Sequence, residues 1–222
     1  MSRIPRLLPT TRVEAFSDGV YAIAITLLVL ELGVPDSSER LMGELSEDWP
    51  SFLGYLVSFV FIGTSWLGHV KLTRCLSASD EVFIGLNLLK LLFVSFLPFT
   101  TALMANHVLD AGQRPAAVLF GLNLTCAAVM SVVLSGYAIR TEGLVHEGER
   151  PELRRHTRER WPYIVMFGLS TVVGAFLPVV AVIFYLVTAV LMLISPLVRL
   201  ELRTRRKHQR DRDLARGDHE SR

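Results

Sequence analysis

Apolar residues in this chain run in blocks of about twenty rather than alternating, and short polar stretches rich in charge separate them. A hydrocarbon core about 30 Å thick takes roughly 20 residues of helix per crossing, so each block predicts one membrane-spanning helix. Six helices are expected, over about 13–32, 50–73, 82–106, 116–139, 161–177 and 179–200. The last two blocks form one apolar run too long for a single straight crossing at 1.5 Å per residue. GAFLP, from Gly174 to Pro178, is the natural break, because a proline cannot donate an amide to a continuing helix. A tight turn there joins two antiparallel crossings.

Composition agrees with the pattern. Of 222 residues, 51% are hydrophobic, and the mean hydropathy is +0.41, which together specify an all-α integral membrane protein. Residues 1–200 form one six-helix domain. Residues 201–222 are a basic polar tail with too few apolar groups to build a core, expected to extend the last helix briefly and then fray. Basic residues after a crossing can meet anionic lipid headgroups, but topology alone asks for them, so no nucleic-acid partner is expected.

Charge sets the orientation, because short cytoplasmic loops retain lysine and arginine. With the amino terminus inside, twenty of the 23 basic residues fall inside: Arg3, Arg6 and Arg12, then Lys71 and Arg74, then the run from Arg140 to Arg160, then the tail from Arg199 onward. Arg40 and Arg114 fall outside, and Lys90 falls within a helix. Both termini are therefore expected in the cytoplasm, with the protein in the cell membrane. The first outer loop carries Asp36, Glu39, Glu44, Glu47 and Asp48 against Arg40. Such a loop can concentrate cations, or can simply be a wet linker.

Enzyme chemistry has no foothold in the sequence. HExxH, CxxC, GxSxG and a phosphate-cradling glycine loop are missing, and no cofactor is expected. Cys75 and Cys126 imply no disulfide, and the first 15 residues do not read as a signal peptide. Of six histidines, only His69 falls within a crossing in a position to matter.

The first helix, RVEAFSDGVYAIAITLLVLEL, leads from Arg12, Ser17 and Asp18 into a run of apolar residues. Polar groups at the start of a crossing are costly and call for a role. At 100° per residue, Leu27 lies about 40° from Ile23, and Leu30 about 20° the other way. Thr26 borders this stripe at about 60°, whereas Asp18 lies about 140° away and should face neighbouring helices. Lining a pore is one reading of the stripe; ordinary helix packing is the other.

The same segment resembles the first transmembrane helix of the transmembrane protein 175 family of potassium channels, marked by Arg-x-x-x-Phe-Ser-Asp, here Arg12, Phe16, Ser17 and Asp18. The Gly-Val-Tyr-Ala-Ile-Ala-Ile-Thr that follows resembles the bacterial branch with a single six-helix repeat. SFVFIGTSWLGHVKL, with Trp66 and His69, and NLLKLLFVSFLPFTT, with Asn87, Ser95, Pro98 and Phe99, extend the likeness. The resemblance implies a homotetramer whose four first helices surround a potassium-conducting pore without the TVGYG filter. It maps the constriction to Ile23, with Leu27 and Leu30 above it and Thr26 alongside. An aliphatic ring offers an ion no ligands, so selectivity over sodium should be modest and the ring's diameter should govern gating.

Arg12, Phe16, Ser17, Asp18, Trp66, His69 and Asn87 are expected to brace the first helix against the second and third, since buried polar groups need partners. Lys90 is expected to snorkel or to pair with Asp18. Two other functions stand beside the channel. Asp18 and His69 suggest a proton-coupled carrier, although no convincing halves of a repeat are visible. Small residues of the fourth helix, among them Gly121, Ala128 and Gly136, would suit a purely structural subunit.

Overall fold

The computed structural model describes residues 8–33, 41–107, 111–195 and 198, without the side chains of residues 44, 45 and 47. Arg3, Arg6, Asp36, Glu39, Arg40 and the tail from Arg199 onward lie outside the described residues. Helices account for nearly all of the rest. They are α1 (Thr11–Leu27), α2 (Leu41–Glu47), α3 (Trp49–Cys75), α4 (Glu81–Ser95), α5 (Leu97–His107), α6 (Gln113–Arg140) and α7 (Arg150–Gly174), followed by α8 (Pro178–Ser195). Single 3-10 turns, Leu28–Glu31 and Glu147–Glu149, continue α1 and precede α7.

Local chemistry explains most of the boundaries. Asp80 caps α4 by accepting from the Phe83 amide at 2.7 Å, and its other carboxylate oxygen accepts from the Tyr137 hydroxyl at 2.7 Å. Pro50 and Pro151 sit in the first turns of α3 and α7, where their missing amides cost nothing. The third predicted helix is broken: Phe96 separates α4 from α5, because Pro98 has no amide to bond the carbonyl of Val94. The turn from Gly174 to Pro178 separates α7 from α8.

Among the described residues, five helical spans are long and apolar enough to cross a membrane: Thr11–Glu31, Trp49–Cys75, Glu81–His107, Gln113–Arg140 and Pro178–Ser195. The stretch that joins α6 to α7 was expected as a charged loop. Instead α7 begins at Arg150, and its first eleven residues carry five arginines and two glutamates. Its apolar remainder, 161–174, spans only about 21 Å. The short α2, in the first predicted outer loop, has no apolar periodicity that would have announced it.

The bundle is organised around α6, which packs against α7, α4 and α5, while α1 lies against α3 and α4. One apolar cluster joins Tyr21 and Ala24 of α1 and Leu28 of the 3-10 turn to Phe61, Val94 and Phe167 on α3, α4 and α7. A second fills one end with Leu72, Phe83, Leu134, Leu144 and Leu153. At that end Leu8 pairs in an antiparallel bridge with Ser79, and Leu76 with Val145. Gly143, at φ 81°, supplies the left-handed turn that brings its carbonyl to the Ser77 hydroxyl at 2.7 Å. These bridges gather the segment before α1, the α3–α4 loop and the α6–α7 loop, which loop charge had assigned to one side.

Candidate functional site

Helix α1 has two unlike faces. Ser17, Tyr21, Ala24 and Leu28, spaced by three or four residues, are buried against α3 and α4. The opposite face is uncovered within the chain: Phe16 is 55% exposed, Ile23 60%, Leu27 41% and Leu30 74%. Gly19 and Thr26 share that face. The Thr26 hydroxyl donates to the carbonyls of Ala22 and Ile23 at 3.0 and 2.9 Å, so it is satisfied by its own helix. Leu30 lies on the 3-10 turn rather than on α1 proper, where the tighter winding shifts it from the regular stripe.

Behind the buried face lies a ladder of polar contacts. The Ser17 hydroxyl donates to the Val13 carbonyl at 2.7 Å and accepts from Asn87 Nδ2 at 2.9 Å, joining α1 to α4. One turn on, the Tyr21 and Ser65 hydroxyls share a hydrogen bond at 3.0 Å, joining α1 to α3. Asp18, on the edge of the uncovered face, accepts from the Trp66 indole at 2.9 Å. In a bilayer, where apolar burial gives helices little reason to associate, such contacts together with close packing set which faces meet.

Lys90 departs from both expectations. It neither snorkels nor meets Asp18: it is 1% exposed, with Nζ 3.3 Å from His69 Nδ1 and 5.4 Å from the centre of the Tyr21 ring. Lys90 points from α4 into the bundle, whereas Asp18 lies on the outer edge of α1. The two nitrogens share a hydrogen bond whose direction depends on the histidine tautomer, and His69 Nε2 has no hydrogen-bond partner among the described residues. The Tyr21 ring, tilted 39° to His69, lies beneath Lys90 Nζ, the geometry of a cation–π contact whenever the amine is charged.

The seven residues expected to brace α1 therefore divide. Ser17 and Asn87 meet directly, as do Asp18 and Trp66, while His69 reaches α4 through Lys90. Arg12 and Phe16 stay on the uncovered side of α1, away from this ladder. Sequence reasoning missed Tyr21 and Ser65, although Tyr21 follows Ser17 and Ser65 precedes His69 by one helical turn each. It also missed Arg160, counted as a loop charge, which donates to the Thr64 carbonyl of α3 at 3.0 Å.

Residues 12–98 match the family model described as "Endosomal/lysosomal potassium channel TMEM175". A potassium channel of Chamaesiphon minutus is 37% identical over 179 residues, covering 77% of this chain and 88% of its own length. The chain belongs to the TMEM175 family. A crystal structure described as a lysosomal potassium-selective channel TMEM175 homolog from the same organism superposes with a TM-score of 0.75 at 30% identity, covering 84% of this chain and 97% of that one. The TMEM175 of Bos taurus, named an endosomal/lysosomal proton channel, is 35% identical over 160 residues, which span 33% of its length.

Proposed function

We propose that this chain forms a potassium-selective cation channel of the cell membrane, modestly selective over sodium, in which four copies set their α1 helices around a central pore. The supporting observation is the uncovered face of α1. Lipid would accept its Ile23, Leu27 and Leu30, but the same face carries Arg12 and is edged by Asp18, groups that favour water or protein over hydrocarbon. The relatives named as potassium channels support the same reading. In this proposal Ile23 forms the narrow ring, Leu27 and Leu30 line the wider part outside it, and Thr26 sits alongside with its hydroxyl turned to the backbone.

The mechanism follows from the chemistry of that ring. Aliphatic side chains replace none of an ion's hydration shell, so a cation crosses largely hydrated, and the barrier depends on how well the ring stays wet. The ladder behind α1 holds the helix in place while its free face meets the ions. Lys90 lies on the far side of Tyr21, so its charge does not line the path. Loop charge supports both termini in the cytoplasm and α7 as a sixth, shorter crossing. A proton-coupled carrier finds less support, because Asp18 and His69 share no hydrogen bond among the described residues and have different partners.

Reconstitution tests the proposal. Liposomes loaded with potassium and containing the purified protein should release it down its gradient, faster than sodium, once a proton carrier relieves the charge. Ile23→Asn should change that flux by about tenfold, equivalent to roughly 1.4 kcal/mol of barrier. Flux that saturates and needs a proton gradient would instead support the carrier, and no flux from folded oligomers would sink the channel.

A further inference from the structure

Apart from the α1 site, a cavity of about 350 Å³ lies between α3, α7 and α8. Its lining divides by chemistry. Leu67, Met192 and Leu193 form an apolar side, while Lys71, Arg155 and Arg160 bring positive charge to the other. Glu152 and Glu159 also reach it, but Glu152 is bound to Lys71 at 2.8 Å, so that pair cancels. The two arginines then outnumber the remaining carboxylate.

Arg160 is held in place. Its guanidinium lies directly on Gly68, where any side chain on α3 would collide with it, and it donates to the Thr64 carbonyl at 3.0 Å. That is its one hydrogen bond among the described residues, and the guanidinium, with five donors, forms part of the cavity wall. A second observation points the same way. Arg150, Arg154 and Arg158 repeat every four residues along α7, and together with Arg155 they border a neighbouring open hollow, so the cavity adjoins a continuous basic surface.

We infer that this cavity binds the phosphate headgroup of an anionic phospholipid, with Arg155 and Arg160 on the phosphate and the acyl chains leaving along Leu67, Met192 and Leu193. The volume suits a headgroup rather than a whole lipid. Basic pockets between transmembrane helices near the membrane surface take such headgroups. Several arginines beside one another favour a lipid with two phosphates, so cardiolipin is the probe. The inference does not depend on ion conduction.

Native mass spectrometry of the full chain in detergent, with cardiolipin or phosphatidylcholine added, tests it. Wild-type protein should retain cardiolipin and release phosphatidylcholine. Arg155→Gln, an exposed change that leaves folding intact, should lower cardiolipin occupancy about fivefold, and Arg160→Gln should lower it further. Arg114→Gln, which removes an equal charge from the start of α6, should leave occupancy unchanged. Equal retention by wild type and Arg155→Gln, or an equal loss in Arg114→Gln, would overturn the site. Millimolar inorganic phosphate that displaces cardiolipin would overturn the lipid assignment in favour of a small-anion site.

Discussion

At the residue scale, the contacts behind α1 are few and each joins one pair of helices, so they can be measured one at a time. The Ser17–Asn87 bond links α1 to α4. A double-mutant cycle with Ser17→Ala and Asn87→Ala should give a coupling of about 0.6 kcal/mol in detergent unfolding, the usual size for hydrogen bonds between membrane helices. A coupling of zero would mean that water satisfies both groups in the folded state. The sequence marked Arg12, Ser17, Asp18, Trp66, His69 and Asn87 as polar groups with a task, but not which would meet. That depends on rotation about each helix axis, and the few polar residues of the segment do not fix it. Lys90 shows the limit: a lone lysine in an apolar helix reads as a snorkelling residue until His69 and Tyr21 are seen around it.

At the element scale, close approach matters as much as hydrogen bonding. Gly121 of α6 lies where an added side chain would run into the Tyr185 hydroxyl of α8 and the Thr171 hydroxyl of α7. Gly121→Ala should therefore destabilise the bundle by about 1–3 kcal/mol, seen as a lower unfolding temperature. Tyr185→Phe should restore part of the loss by removing one of the obstructing atoms; no recovery would mean that the backbone of α6, not the hydroxyl, has to move. Hydropathy made the apolar cores of the helices legible because that signal is summed over some twenty residues. It misread the start of α7, where arginines and glutamates on a continuing helix look the same in sequence as a charged loop. It also passed over the break at Phe96, which a single proline sets within an uninterrupted apolar run.

At the scale of the whole molecule, the segment before α1, the α3–α4 loop and the α6–α7 loop meet at one end through the Leu8–Ser79 and Leu76–Val145 bridges. Purified protein should carry the mass of four chains by light scattering, and replacing Leu30, 74% exposed in one chain, by cysteine should let a short thiol-reactive cross-linker join neighbouring copies; monomers throughout would contradict the proposed assembly. The placement of the anchors along α1 has a mechanical consequence. Leu8, Ser17, Asp18 and Tyr21 are each tied to another part of the fold, whereas from Ala22 to Leu30 no side-chain hydrogen bond reaches another helix among the described residues. The helix is thus clamped over one half and held only by apolar contact over the other. Bending at such a lever falls beyond the last clamp, just past Tyr21, so the travel available to it is delivered almost entirely to Ile23, Leu27 and Leu30.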